Sequence, residues 1–128
     1  MANILIVDQS LIIRRVGSCI FEELGCQAQH APTGAEAVLA CKHGAPDLIL
    51  VDSKLPDMTI QDFSTAIRKS PVGDLVYIIY MAAEIDADTR SSASSLGVDG
   101  FLFKPFTLDS MQSMLEDYHL DQWIQKSA

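Results

Sequence analysis

The fold of this chain is constrained most by several short apolar runs that are nearly continuous rather than alternating. The runs span residues 4–7, 48–51, 75–81 and 101–103. An apolar residue at every position suits a strand that is covered on both faces, as in a parallel sheet between two layers of helices. Residues 26–31 instead alternate with polar Gln27 and Gln29, which favours an edge strand with one wetter face. The sequence therefore predicts five strands.

Helical patterns with recognisable ends fill the intervals between these runs. Their predicted spans are about residues 10–24, 33–44, 59–69, 86–96 and 107–118. The second begins at "TGAE", where Thr33 and Glu36 have the spacing of a capping box. The fourth contains four serines between residues 91 and 95, so we expect it to be the least stable helix.

Five strands that alternate with five helices predict an α/β fold, a doubly wound sandwich built from right-handed crossovers. Sheets of this size often have the strand order 2-1-3-4-5, which places the weak second strand at an edge. The 128 residues fit a single domain. Beyond Tyr118, residues 119–128 continue an apolar stripe through Leu120, Trp123 and Ile124. We expect this extension either to pack back on the domain or to form a dimer contact or a connector to an output domain.

Hydropathy and charge limit the classes of function. The chain has no apolar window of about 18 residues and no signal-peptide pattern at its start, so we expect a cytoplasmic protein that does not contact membranes. The net charge of −8 would repel phosphate backbones. We therefore do not expect direct binding to nucleic acid.

The cysteines and histidines follow no spacing typical of a metal or redox site. We interpret the three cysteines, Cys19, Cys26 and Cys41, as buried free thiols in a reducing compartment. The three histidines, His30, His43 and His119, are predicted to lie far apart. We expect none of the three to be a ligand or a phospho-histidine.

Charged side chains stand where three of the predicted strands end. In a doubly wound sheet, ligands bind outside the carboxyl ends of the strands, where the winding reverses between strands one and three. Asp8 ends strand one and Asp52, 44 residues later, ends strand three. Lys104 ends strand five at the same edge of the sheet, and Pro105 keeps it extended. The sequence therefore predicts that two carboxylates and an ammonium group converge.

This combination is typical of a site for a hard cation and an oxyanion. Paired carboxylates bind Mg²⁺ through oxygen, and a lysine can neutralise a phosphoryl oxygen. A carboxylate beside a divalent ion can also attack an activated phosphoryl group and form an acyl phosphate. The competing interpretation is that each acid merely caps a loop or a helix. That would explain one strand-end acid, but two acids and a lysine at one edge favour a site.

Three segments, "ILIVDQSLIIRR", "PDLILVDSKLPDM" and "GFLFKPF", resemble the receiver domain of bacterial two-component response regulators. The resemblance covers essentially the whole chain and implies a flavodoxin-like (βα)5 fold. It implies that Asp52 is the phospho-acceptor, which receives a phosphoryl group from a histidine kinase or a phosphotransfer protein. It also implies a signalling module rather than an enzyme.

The resemblance assigns roles to the other predicted site residues as well. By it, Asp8 helps to hold Mg²⁺ through water, the backbone carbonyl of Lys54 is a metal ligand, and Lys104 contacts the phosphoryl group. The bond between Lys104 and Pro105 is expected to be cis. The expected signalling face consists of strands four and five with helices four and five. It would meet a downstream protein, an output domain or a second copy of the chain.

Two positions of the predicted site depart from the family pattern. Gln9 stands where receivers carry a second acid that binds Mg²⁺ directly, so the formal charge of the site is −1 instead of −2. Losing that charge should cost about 1 to 4 kcal/mol of Mg²⁺ binding. Ala82 stands where receivers carry a Thr or Ser hydroxyl that bonds the phosphoryl group. Without that hydrogen bond, the phosphorylated state should lose about 1.5 to 3 kcal/mol of stabilisation. Phe101 still supplies the aromatic switch residue.

Two interpretations of the function remain open. One is a phosphorelay receiver in which Mg²⁺ binding and switching are weakened. The other is a pseudo-receiver that binds protein partners without being phosphorylated.

Overall fold

The structure, a computed structural model, describes residues 2–70 and 73–121. Five strands are found there, β1 (Asn3–Val7), β2 (Gln27–Ala31), β3 (Leu48–Asp52), β4 (Tyr77–Ala82) and β5 (Gly100–Phe103). They form a parallel sheet in the order β2-β1-β3-β4-β5. The predicted fold class and strand order are confirmed.

The helices lie between the strands. Within the described residues they are α1 (Leu11–Glu23), α2 (Gly34–His43), α3 (Ile60–Arg68), α4 (Ala87–Ser91), α5 (Ala93–Leu96) and α6 (Leu108–Asp117). The hydroxyl of Thr33 caps α2 by accepting the N–H of Glu36 at 3.1 Å. Among the described hydrogen bonds, this is the half of the predicted capping box that is found. A full reciprocal box forms instead at α6, between Thr107 and Ser110.

The predicted start of the fourth strand is wrong. Residues Gly73–Leu75 form a turn of 3-10 helix, and β4 begins at Tyr77. The side chain of Leu75 is 75% exposed, so its apolar character does not mark a buried strand position. The guanidinium of Arg68 donates to the carbonyls of Gly73 and Val76, which holds the chain in a turn before the strand.

The fourth predicted helix is not continuous. It is divided at Ser92 into the short helices α4 and α5. The hydroxyls of Ser91 and Ser92 both donate to the carbonyl of Asp88, at 3.0 and 2.8 Å. Serine side chains that bond nearby carbonyls compete with the helical backbone, which explains why the serine-rich segment breaks here. The fifth predicted helix is consequently α6.

The core lies in two layers, one on each face of the sheet. Ile4 and Ile6 of β1 pack on the side of α1 and α6, while Leu5 and Val7 pack on the side of α2 and α3. All four are buried. Burial of both faces explains why the central strands have apolar residues at every position.

The C-terminal extension is described as far as Asp121. Leu120 is 2% exposed and belongs to the core layer on the side of α1 and α6. Its N–H donates to the carbonyl of Leu115 at 2.7 Å. The stripe therefore packs back on the domain at its first residue, whereas Trp123 and Ile124 lie outside the described residues.

The environment of the cysteines partly contradicts the sequence prediction. Cys26 is buried and Cys41 is half-buried, but Cys19 is exposed on α1, because that position faces away from the sheet. Burial raises the pKa of the Cys41 thiol to about 11, and it also raises the pKa of Cys26. Both therefore remain protonated at neutral pH. Among the described helices, none has the length and hydrophobicity needed to cross a bilayer.

Candidate functional site

The carboxyl edge of the sheet brings three of the predicted site residues together. In the pairing of β1 with β3, Val7 lies opposite Val51. Asp8 and Asp52, the next residues of each strand, therefore leave the sheet at the same level. Lys104 directly follows β5, and its N–H donates to the carbonyl of Ala82 at 2.9 Å.

The ammonium group of Lys104 bridges the two carboxylates. Its Nζ lies 2.5 Å from Oδ2 of Asp8 and 3.0 Å from Oδ1 of Asp52. The Asp8 side chain is 2% exposed and the Asp52 side chain is 15% exposed. The other oxygen of Asp8, Oδ1, accepts the N–H of Ser10 at 2.8 Å. Asp8 is thus a buried carboxylate with one oxygen hydrogen-bonded to Ser10 and the other in an ion pair with Lys104. Asp52 is the carboxylate that solvent reaches.

These contacts determine the charge of the lysine. Burial lowers the pKa of Lys104, but the hydrogen bonds and charges of Asp8 and Asp52 outweigh burial and raise the pKa above its ordinary value of 10.5. The ammonium is therefore charged at neutral pH. With two carboxylates and one ammonium group, the formal charge of this group is −1.

Gln9 and Lys54 lie on the loops that follow the two acidic strand ends. Gln9 is exposed in the turn between β1 and α1, and Lys54 is exposed two residues beyond Asp52. The Lys104–Pro105 peptide bond is cis.

The oxygen atoms around Asp52 are of the type that Mg²⁺ prefers. Oδ2 of Asp52 accepts no hydrogen bond from the described residues, and the amide oxygen of Gln9 and the carbonyl of Lys54 are also oxygen donors. Hard oxygen donors suit Mg²⁺. Within residues 2–70 and 73–121, however, no group of three or more acidic, histidine or cysteine side chains is placed to hold a metal. The residues present can bind Mg²⁺ through oxygen atoms. Because Asp8 is followed by the neutral Gln9 and not by a second acid, they provide one charged ligand fewer than two neighbouring acids would.

Of the two predicted switch positions, Ala82 contacts this group through the N–H of Lys104, and Phe101 lies on β5 three residues before Lys104. Ala82, the last residue of β4, is 6% exposed and carries only a methyl group. The ring of Phe101 meets the ring of Tyr80 edge-on, with centroids 5.6 Å apart. The guanidinium of Arg90 lies 5.7 Å from the centroid of Phe101 and 5.4 Å from that of Phe103, within the range of a cation–π contact.

Sequence reasoning missed two residues that hold the loops of the site. Arg14 of α1 donates from Nη1 to the backbone carbonyls of Asp8, at 2.8 Å, and Gln9, at 3.1 Å. Asp57, in the loop after Asp52, accepts the N–H groups of Gly34 and Ala35 at the start of α2.

The bond to Ala35 first, and then that to Gly34, lowers the pKa of Asp57. The carboxylate, next to the positive end of the helix dipole, therefore stays ionised to pH values below its ordinary pKa of 3.8. No local sequence pattern predicts these contacts, because the hydrogen-bond partners of Asp57 lie more than twenty residues away in the sequence.

The sequence model of the family described as response regulator receiver domain matches residues 4–116. The chain is 39% identical over 89 residues to the luminescence regulatory protein LuxO of Vibrio campbellii. The aligned segment covers 70% of this chain and 19% of LuxO. The chain thus corresponds to about a fifth of the length of that relative.

Solved structures resemble the whole fold. The chemotaxis protein CheY4 of Vibrio cholerae superposes with a TM-score of 0.85 at 27% identity, covering 92% of this chain and 98% of that one. The receiver domain of the sensor histidine kinase PA1611 from Pseudomonas aeruginosa gives a TM-score of 0.79 at 26% identity, covering 91% and 96%. The latter structure has a magnesium ion coordinated in the active site cleft.

Proposed function

The chain belongs to the response regulator receiver domain family, and from that premise we propose that it accepts a phosphoryl group at Asp52 in a phosphorelay. The observation that carries the proposal is the position of Asp52. Its carboxylate is partly open to solvent, while Lys104 binds one oxygen and the buried Asp8 lies on the other side of the ammonium group. An accessible carboxylate beside a fixed cation is arranged for attack on a phosphoryl group.

The donor in this reaction is a phosphorylated histidine of a kinase or a phosphotransfer protein. An oxygen of Asp52 forms a bond to phosphorus as the bond from phosphorus to the histidine nitrogen breaks. The electron pair of that bond stays with the imidazole, which is released neutral or takes up a proton from water. Lys104, already bonded to Oδ1 of Asp52, stays close enough to neutralise a phosphoryl oxygen.

Mg²⁺, when bound, would neutralise charge on the phosphoryl oxygens. The residues that would hold it are Asp52, Asp8, the carbonyl of Lys54 and the amide of Gln9. Because Gln9 is neutral, we propose that Mg²⁺ binds more weakly here than in receivers with two acids after β1.

The donor protein is proposed to dock on α1. Three large apolar side chains are exposed on this helix, next to the turn that carries Asp8, and they are Leu11, Ile12 and Val16, with exposures of 46%, 73% and 41%. Exposed apolar side chains grouped in this way mark a surface for a protein partner.

We propose that the surface formed by β4, α4, α5, β5 and α6 transmits the signal by binding a downstream protein, an output domain or a second copy of the chain. Phe103, which is 46% exposed on β5, would lie in that contact. The second candidate function is a pseudo-receiver that uses the same surface without phosphorylation. It is favoured by Ala82, which offers no hydroxyl to a phosphoryl group, so that phosphorylation has fewer contacts through which to shift the conformation.

Intact-mass measurement separates the two functions. The protein is incubated with Mg²⁺ and acetyl phosphate, and a phosphoryl adduct is expected in the wild type and absent in Asp52→Asn. Asp62→Asn, which removes an exposed carboxylate from α3, should keep the adduct. Absence of any adduct at high Mg²⁺, with a cognate kinase also supplied, would leave the pseudo-receiver as the function.

A further inference from the structure

The turn between β1 and α1 is held from one side by a single guanidinium group. Nη1 of Arg14 is shared by the carbonyls of Asp8 and Gln9, at 2.8 and 3.1 Å. These are the two consecutive residues whose side chains belong to the candidate site. The turn is also tied to the sheet, because the N–H of Asp8 donates to the carbonyl of Ala31 at 3.1 Å.

The guanidinium is itself fixed at a second point. Nε of Arg14 donates to Nδ1 of His30, on the edge strand β2, at 3.1 Å. The donors of a guanidinium lie in one rigid plane. A bond at Nε together with the bonds at Nη1 therefore fixes the orientation of that plane.

The bond between Arg14 and His30 requires one form of the imidazole. Nδ1 can accept a hydrogen bond only when it carries no proton, which means a neutral ring with its proton on Nε2. A protonated ring would have no lone pair at Nδ1, and it would place a second positive charge against the guanidinium.

We propose that Arg14 is a positioning residue for the Asp8–Gln9 turn, and that neutral His30 holds it in place. Protonation of His30 releases Nε of Arg14 and loosens the bonds of Nη1 to the two carbonyls. This inference deepens the proposed function, because the turn it concerns carries the acid and the amide assigned to Mg²⁺.

Among the charged side chains near His30, Arg14 is the one that forms a hydrogen bond with its imidazole in the described part of the chain. The charged residues of α1 besides Arg14 are Arg15, Glu22 and Glu23, and none of them forms an ion pair or hydrogen bond with His30 in the described part of the chain. On the sheet, His30 lies opposite Ile6 of β1, which is apolar. His30 is exposed, so protons exchange with it freely.

The test is a pH titration of the full chain by NMR between pH 5.5 and 8, in buffer without Mg²⁺ or phosphodonor. The imidazole nitrogens of His30 and the backbone amides of Gln9 and Ser10 are followed together. We expect Nδ1 of His30 to be unprotonated at pH 8, and both amides to shift with the same midpoint as His30.

Three variants make the test specific. In His30→Gln, whose amide oxygen can still accept from Arg14 at every pH, the amide shifts of Gln9 and Ser10 should no longer depend on pH. In Arg14→Lys, which keeps the charge but lacks the planar fork, the same dependence should be lost even though His30 still titrates. His43→Gln, on α2, should leave the wild-type behaviour unchanged.

A proton on Nδ1 of His30 at pH 8, or amides that stay constant while His30 titrates, would overturn the inference. These signals do not depend on phosphorylation, so a failure here is distinct from a failure of the phospho-acceptor proposal. Where the protein does accept a phosphoryl group, a positioning role adds one further expectation. The rate with acetyl phosphate should fall as the pH drops through the His30 midpoint in the wild type, but not in His30→Gln.

Discussion

In the proposed Mg²⁺ site, the residue at position 9 determines how much negative charge surrounds the ion, and here it is the neutral Gln9. It follows Asp8 directly, yet Asp8 is buried and bonded to Lys104 while Gln9 is exposed. A carboxylate at position 9 would therefore be a new, accessible ligand rather than a competitor for the ammonium group.

Gln9→Asp is expected to tighten Mg²⁺ binding, by about tenfold or more if one added charge contributes at least 1.4 kcal/mol at protein-like dielectric. The measurement is a Mg²⁺ titration by calorimetry or NMR at fixed ionic strength. The matched control is Gln27→Asp, the same substitution at the first residue of β2, at the opposite edge of the sheet. Equal Mg²⁺ affinity in the wild type and Gln9→Asp would show that position 9 does not contribute to the ion site.

Lys104 neutralises a carboxylate that has almost no access to water. Removing the ammonium leaves Asp8 buried with Oδ2 unpaired, which should destabilise Lys104→Met by about 1 to 3 kcal/mol at pH 7. Lys42→Met, an exposed lysine of α2, should change the free energy of unfolding by less than about 0.5 kcal/mol. Urea unfolding measures both.

The pH dependence of that difference follows from the raised pKa of Lys104. A lysine whose folded pKa lies above its unfolded value contributes stability that is complete below about 10.5 and is lost as the pH rises through the folded value. The wild type should therefore lose its advantage over Lys104→Met above pH 10.5 and not between pH 7 and 10. An advantage that shrinks already at pH 8 would mean that the ion pair is not its source.

Among the secondary-structure elements, the entrance to β4 depends on Arg68 at the end of α3. Besides the carbonyls of Gly73 and Val76, its guanidinium binds Oδ2 of Asp99 at 2.9 Å. The same carboxylate oxygen accepts the N–H of Ile78 at 2.8 Å. One side chain thus joins α3, the 3-10 turn and the starts of β4 and β5.

Arg68→Met should therefore cost about 2 to 4 kcal/mol of stability, because several partly buried acceptors lose their donor together. Lys69→Met, at the exposed neighbouring position, is the control. Hydrogen exchange should show the amides of β4 losing protection before those of β1. A uniform loss over the whole sheet would argue that Arg68 supports the fold generally rather than this entrance.

The elements also show what the sequence could predict. Continuous apolar runs identified the central strands, because burial on both faces leaves no polar alternation. The strand order was predicted from the common pattern of doubly wound sheets, with the alternating second strand at an edge. The rule of continuous apolar runs failed at Leu75, where the contacts of Arg68 with residues that follow it by five to eight positions decide the conformation. The fourth predicted helix was interrupted at Ser92 for a different reason, because the hydroxyls of Ser91 and Ser92 bond one carbonyl, that of Asp88. At the site, strand topology placed Asp8, Asp52 and Lys104, but nothing local indicated the contacts of Arg14 and Asp57.

For the molecule as a whole, the open question is how far a change at Asp52 reaches the output surface. On β5, the N–H of Phe101 donates to the hydroxyl of Tyr118 at 2.9 Å, and its ring lies against Tyr80 and under Arg90. Ala82 ends β4 two residues after Tyr80, and its carbonyl accepts the N–H of Lys104. In the proposed phosphorylated state, its methyl group would offer no hydrogen bond to a phosphoryl oxygen.

Ala82→Thr should therefore strengthen the coupling between Asp52 and the output surface. The added hydroxyl can donate to a phosphoryl oxygen, and a hydrogen bond to a charged group contributes about 1.5 to 3 kcal/mol, all of it in the phosphorylated state. That differential is what shifts a population between two conformations. Mg²⁺ affinity of the unphosphorylated protein should stay the same, because the hydroxyl is not a ligand of the ion.

The measurement compares amide shifts of Phe101 and Phe103 before and after treatment with acetyl phosphate, in samples matched for phosphorylation by intact mass. Larger shifts are expected in Ala82→Thr than in the wild type. Ala83→Thr places the same hydroxyl one residue further along, at an exposed position, and should behave like the wild type. Equal shifts in Ala82→Thr and the wild type would mean that the packing of Arg90 and Tyr118 on β5, not the missing hydroxyl, keeps the output surface fixed.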